Sequence, residues 1–144
     1  MVRIKTILLA EDEPKDVELI LEAMADHNLA NQAVVVRDGV EAMEYLRCEG
    51  KFANRKPENP AVVLLDIKMP RMGGIDVLRS IREDENLKKI PVIMLTSSRE
   101  ESDLNQAYDL GVNAYVVKPV EFKKFIDAVK QIGGFWALLN ELPK

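Results

Sequence analysis

The sequence predicts an α/β domain in which a parallel sheet carries helices on both faces. Strand-like apolar runs alternate with helix-like segments five times from end to end, the order of elements that a parallel sheet demands. The runs are almost continuously apolar, as in Ile7-Leu8-Leu9-Ala10 and Val62-Val63-Leu64-Leu65, which suits strands buried on both sides. Four of the runs also end in polar residues. Ala10 leads into Glu11-Asp12-Glu13, Leu65 into Asp66, Leu95 into Thr96-Ser97-Ser98, and Val117 into Lys118-Pro119. In a parallel sheet these ends meet at one edge, the edge at which open α/β sheets bind their ligands.

The elements follow in order. Residues 4–10 read as the first buried strand, and 14–27 as a helix with Val17, Ile20, Leu21 and Met24 at helical spacing. Pro14 fits its first turn, where a missing N–H costs little. Residues 33–36 form the second strand, Asp38-Gly39 a turn, and Val40, Met43 and Leu46 mark one face of a second helix. Gly50, Asn54, Pro57, Asn59 and Pro60 make residues 50–60 a loop. The third strand is 61–66, followed by a loop from Pro70 to Gly74 and a helix whose core face holds Ile75, Leu78 and Ile81. The fourth strand, 91–96, opens at Pro91. Leu104, Ala107 and Tyr108 belong to a fourth helix that Gly111 ends. Residues 114–118 form the fifth strand, and Phe122, Phe125, Ile126, Val129 and Ile132 stripe a fifth helix that Gly133-Gly134 breaks.

Composition narrows the function. A chain of 144 residues fits a single domain, 1–144, with residues 133–144 as a short C-terminal extension and no output domain after it. The net charge of −4 argues against nucleic acid as a partner. No apolar run approaches the roughly 20 residues that span a bilayer, and no signal peptide opens the chain. Cys48 is the sole cysteine, so no internal disulfide forms, and a cytoplasmic protein is expected. A lone His27 excludes a histidine cluster on a metal.

The gathered ends suit phosphoryl transfer. Several acids facing one another attract a hard cation, and Mg²⁺ takes carboxylates and water beside phosphate. Asp12 and Asp66 are the expected direct ligands, with Glu11 acting through water and a backbone carbonyl near Lys68 completing the set. Asp66 can also attack phosphorus to form an aspartyl phosphate, with Lys118 holding one phosphoryl oxygen and Thr96 donating to another. The bland readings are a helix cap for Asp66 and for Thr96-Ser97-Ser98, a helix N-terminal acid for Glu13, and an ordinary strand end for Lys118. Four such residues at four strand ends favour the functional reading.

Leu8-Leu9-Ala10-Glu11-Asp12-Glu13, Asp38-Gly39-Val40-Glu41-Ala42, Leu65-Asp66-Ile67-Lys68-Met69-Pro70, Met94-Leu95-Thr96-Ser97 and Ala114-Tyr115-Val116-Val117-Lys118-Pro119 occur in this order across nearly the whole chain. In them the sequence resembles the receiver domains of bacterial two-component response regulators. The resemblance implies a flavodoxin-like (βα)5 fold with strand order 2-1-3-4-5. It implies Mg²⁺ at Glu11, Asp12, Asp66 and the Lys68 carbonyl. It further implies phosphate accepted on Asp66 from a histidine kinase or phosphotransfer protein and read by Thr96 and Lys118. Glu11 stands where many members carry Asp, Gly73 where many carry an acid, and Lys68 and Ser98 at the positions that tune phosphate lifetime. The polar loop 51–60, the stretch Tyr108–Asn113 and the ending Phe135-Trp136 with Leu142-Pro143 are similar to single-domain receivers that serve bacteriophytochromes and related sensor kinases.

The resemblance also implies a switch at Thr96 and Tyr115 and a homodimer through the fourth helix, fifth strand and fifth helix. Two other functions compete with a binding switch. A Mg²⁺-dependent phosphohydrolase would need a second acid near its nucleophile, where this chain has Lys68. A flavin carrier would meet an acidic pocket with no phosphate-cradling loop after the first strand. The expected protein is therefore not an enzyme, beyond slow self-phosphorylation from small donors and slow self-dephosphorylation.

Overall fold

The computed structural model describes residues 6–25, 33–97 and 101–131. Five strands and five helices alternate: β1 (Ile7–Ala10), α1 (Pro14–Ala25), β2 (Ala33–Val36), α2 (Gly39–Arg47), β3 (Val62–Asp66), α3 (Gly74–Glu83), β4 (Val92–Thr96), α4 (Glu101–Asp109), β5 (Ala114–Val117) and α5 (Phe122–Gln131). All neighbouring strands pair in parallel, in the order β2-β1-β3-β4-β5. The expected strand order is the observed one.

Alternation along each strand sorts the core into two layers. Leu8, Val63, Leu65, Val92 and Met94 face Met43, Leu46, Val77, Leu78 and Ile81 of α2 and α3. Leu9, Leu64, Ile93, Leu95 and Val116 face Ile20 and Met24 of α1 and Phe125 and Val129 of α5. These strand residues are all fully or nearly fully buried, so the sheet lies between two apolar layers and only its edges and ends are free for chemistry.

The expected boundaries shift slightly. β1 begins at Ile7, and Thr6 before it lies outside the ladder, its carbonyl taking the Ala61 N–H at 2.8 Å. β3 and β4 each start one residue later than the sequence suggests, and β5 ends at Val117. The expected loop 50–60 contains a single 3-10 turn, Gly50–Phe52, which packs the Phe52 ring edge-on to Tyr45 at 5.1 Å. α4 stops at Asp109, and Gly111 follows with φ +82°, as a helix-ending glycine does. The Lys118–Pro119 peptide is cis. Among the described residues no helix is long and apolar enough to cross a membrane. Ser98, His27 and the extension 133–144 lie outside the described residues.

Candidate functional site

The parallel ladder continues one residue beyond the strands and so fixes the backbone where the chemistry sits. Glu11 N–H donates to the Val36 carbonyl at 3.0 Å, Ile67 N–H to Leu95 at 3.1 Å, and Lys118 N–H to Thr96 at 2.8 Å. Glu11, Asp66, Thr96 and Lys118 therefore stand side by side at one edge. Glu11, Asp66 and Thr96 are buried, while Asp12 is exposed.

Carboxylate oxygens of Glu11, Asp12 and Asp66 all lie within 4.8 Å of one another, a spacing that one metal ion can bridge. Lys118 Nζ faces the same cluster, 2.5 Å from Glu11 Oε1, 3.0 Å from Asp16 Oδ2 and 3.3 Å from Asp66 Oδ2. It donates a hydrogen bond to Asp16. Glu11 Oε1 is buried against that ammonium, while Glu11 Oε2 accepts from the Glu13 N–H at 3.1 Å. Three carboxylates converging beside a single ammonium fit a cation site. Glu13, as expected, works at the start of α1: its carbonyl takes the Val17 N–H at 3.1 Å and its Oε1 the Lys15 N–H at 3.3 Å.

Burial pushes the Glu11 carboxyl up to about 7, and the neighbouring Asp66 adds to this against the pull of Lys118. Burial alone would lower the Lys118 ammonium, but hydrogen bonding and charge from Glu11, Asp16 and Asp66 outweigh it and raise its pKa. The ammonium is thus charged at any physiological pH, while one acid is poised between its two forms.

The cluster opens into a cavity of about 300 Å³ lined by Asp12, Asp16, Asp66, Lys68, Thr96, Ser97, Asp103 and Lys118, among others. A larger groove of about 540 Å³, between Arg47-Cys48 and Asn86-Leu87, gathers no such set of acids around an ammonium. The structure brings together the sequence-predicted Glu11, Asp12, Asp66, Lys68, Thr96 and Lys118. Tyr115 stands apart, half-buried on the other face of β5, its ring edge-on to Tyr108 at 6.1 Å. Asp16 and Asp103 were not foreseen. Asp16 lies in the first turn of α1, just after the acidic run Glu11-Asp12-Glu13, and that proximity is the signal that points to it.

A profile of the response regulator receiver domain matches residues 7–130. The chain belongs to that family. Response regulator Rcp1 of Synechocystis sp. is 35% identical over 139 residues, covering 96% of this chain and 93% of Rcp1. The bacteriophytochrome response regulator RtBRR superposes with a TM-score of 0.87 at 54% identity, over 98% of this chain and 85% of that one. The phosphorylated cyanobacterial phytochrome response regulator RcpA gives a TM-score of 0.79 at 42% identity, over 99% and 100%. A structure of Rcp1 in its Mn²⁺-bound form gives 0.76 at 35% identity, over 97% and 99%. Receiver domains of this kind are phosphoacceptor switches, so the fold and acidic edge described above belong to a response regulator of phosphorelay signalling.

Proposed function

We propose that Asp66 is the phosphoacceptor and that the chain carries signals from a sensor histidine kinase, or from a phosphotransfer protein, in the cytoplasm. One observation supports this above others: the buried Asp66 carboxylate lies within 4.8 Å of two further acids and 3.3 Å from the Lys118 ammonium. Glu11, Asp12, Asp66 and the Lys68 carbonyl would hold Mg²⁺. When bound, the ion neutralises charge on the transferring oxygens. A carboxylate oxygen of Asp66 attacks the phosphorus of a phosphohistidine. The new O–P bond forms as the N–P bond breaks, and the imidazole leaves with the electron pair. Lys118 then takes one phosphoryl oxygen as a point charge, and Thr96 donates its hydroxyl to another. The resting geometry has Lys118 already beside the acceptor, so little rearrangement is needed.

The phosphoryl group carries roughly −1.5 to −2 charges in place of the single charge of the Asp66 carboxylate, so the end of β3 gains at most about one negative charge along with new acceptor oxygens. Thr96 moves toward it, and Tyr115 follows from its half-buried position into the space behind. This reshapes the face of α4, β5 and α5, on which a homodimer or a partner docks. The similarity to bacteriophytochrome response regulators makes kinases of that class the first partners to test. Intact mass after incubation with acetyl phosphate and Mg²⁺ tests the acceptor. A single phosphoryl adduct on wild type, absent from Asp66→Asn and lost with a chelator, is expected; an adduct on Asp66→Asn would move the acceptor elsewhere. Sedimentation with Mg²⁺ and a beryllofluoride mimic is expected to raise the dimer fraction, and a monomer under all conditions would remove the dimer from this reading.

A further inference from the structure

Asp16 has no role in the reading just given, yet it accepts the Lys118 hydrogen bond at 3.0 Å, across 102 residues of sequence. It sits in the first turn of α1, a helix pinned to the sheet by Ile20 and Met24. An acid there is usually explained by the helix dipole. Here Glu13 already serves the first amides of α1, and the Asp16 carboxylate turns to the ammonium instead.

We propose that Asp16 is a positioning residue for phosphoryl transfer: it draws Lys118 toward α1 and so limits the hold of the ammonium on Glu11 and Asp66 until the phosphoryl group arrives. The inference rests on Asp66 being the acceptor. Lys118 is enclosed, and its ammonium is shared among Glu11 at 2.5 Å, Asp16 at 3.0 Å and Asp66 at 3.3 Å. An ammonium freed from Asp16 would lean wholly on the two acids the cation needs, and a short pair in a poorly solvated site is hard to displace. With Asp16 in place, part of its hold goes to an acid of α1. Once the phosphoryl group sits on Asp66, its added negative charge outbids a single half-exposed carboxylate. Lys118 exchanges Asp16 for a phosphoryl oxygen over a distance close to its present reach.

The test is a double-mutant cycle on Mg²⁺ affinity, read by calorimetry, with Asp16→Asn and Lys118→Met alone and together. Asp16→Asn is expected to weaken Mg²⁺ binding about five-fold in the wild-type background and by less than about two-fold beside Lys118→Met. Asp16→Glu, which restores a carboxylate, is expected to recover most of the affinity. Asp16→Ser runs in parallel, so that poor folding of one variant does not decide the matter. An equal loss in both backgrounds would reduce Asp16 to a through-space charge and overturn the tether, as would unchanged affinity in Asp16→Asn. A wild-type protein that binds no Mg²⁺ would instead overturn the reading of the site itself, and the tether with it.

Discussion

Arg71 Nε donates to Asp38 Oδ2 at 2.8 Å, and this pair ties the start of α2 to the loop that follows Asp66. The other Asp38 oxygen accepts the Glu41 N–H at 2.8 Å and so caps α2. Next to it, Gly39 N–H donates to the Met72 carbonyl at 2.9 Å. A Cβ at Gly39 would stand 2.3 Å from that same carbonyl, so the close approach requires glycine. Arg71 itself is held at φ +63°, the left-handed region that few side chains adopt. The loop carrying Lys68 is therefore anchored at its far end by a cap, an ion pair and a backbone hydrogen bond.

Asp38→Ala should remove the cap and the pair together and destabilise the protein by about 1–2 kcal/mol. Burial raises the Asp38 pKa, but Arg71 and the Glu41 N–H outweigh it and hold the carboxyl below its ordinary 3.8. A depressed pKa gives stability that is present above the unfolded value and is lost as pH falls through the folded one. Urea melts should show the gap between wild type and Asp38→Ala constant above about pH 5 and closing in stronger acid, with an unchanged m-value. A gap that persists undiminished at pH 2 would remove charge from the explanation.

Gly74 and Gly73 differ sharply in what a side chain would meet. A Cβ at Gly74 would lie 2.3 Å from the Asp66 carbonyl, whereas at Gly73 the nearest atom is the Ile67 carbonyl at 3.1 Å. Gly74→Ala should push the Asp66 backbone out of register, destabilise by roughly 1–3 kcal/mol or more and weaken Mg²⁺ binding. Gly73→Ala should be the milder change in both respects. Thermal melts and Mg²⁺ titration of the two variants check this, and equal Mg²⁺ affinities would show that Asp66 is insulated from its loop.

The sheet and its acidic edge were legible because both rest on local patterns. Near-continuous apolar runs announce strands buried twice over, and a parallel sheet brings Glu11, Asp66, Thr96 and Lys118 to one edge by topology alone. What the sequence left obscure depends on contacts between distant segments. Nothing local shows that Asp16 turns to Lys118 and leaves the first amides of α1 to Glu13, or that Arg71 reaches back to Asp38. The 3-10 turn at Gly50–Phe52 was hidden for the same reason, since part of its support is the Tyr45 ring of α2. The order of the strands came from family resemblance, because alternation of elements permits more than one.

Arg82 organises the end of the molecule away from the acids. Its guanidinium donates to the carbonyls of Gly111 at 2.8 Å, Lys88 at 3.0 Å and Ile90 at 2.9 Å, and to Asn113 Oδ1 at 2.9 Å. Asn113 Oδ1 also takes the Val92 N–H at 2.8 Å, so one network joins α3, the start of β4 and the approach to β5. Arg82→Ala should cost about 2–4 kcal/mol through the acceptors it leaves unpaired, and Arg82→Lys should recover less than half, as one ammonium cannot span the set. Denaturant unfolding measures both, and a loss under about 0.5 kcal/mol would mean that water replaces the guanidinium.

On the proposed reading of the site, Glu11 would give metal binding a pH dependence with a definite sign. Burial raises its carboxyl from 4.5 to about 7 in the metal-free protein. Between those values the folded state holds a proton that the unfolded chain releases. Its contribution to stability is thus full below 4.5 and is lost as pH rises through about 7. Lys118 stays charged throughout, so it does not mask the effect. A cation needs the carboxylate and must displace that proton. Calorimetry in buffers of different ionisation enthalpy should find most of a proton released per Mg²⁺ at pH 6 and little at pH 8, as for a group titrating near 7. Apparent affinity should climb close to ten-fold between pH 5 and 6 and flatten above 7. Glu11→Gln should bind Mg²⁺ more weakly, release almost no proton, and gain metal-free stability relative to wild type as pH rises from 5 to 8. Proton release that is the same at pH 6 and pH 8 would show that Glu11 is already ionised, with Lys118 winning over burial.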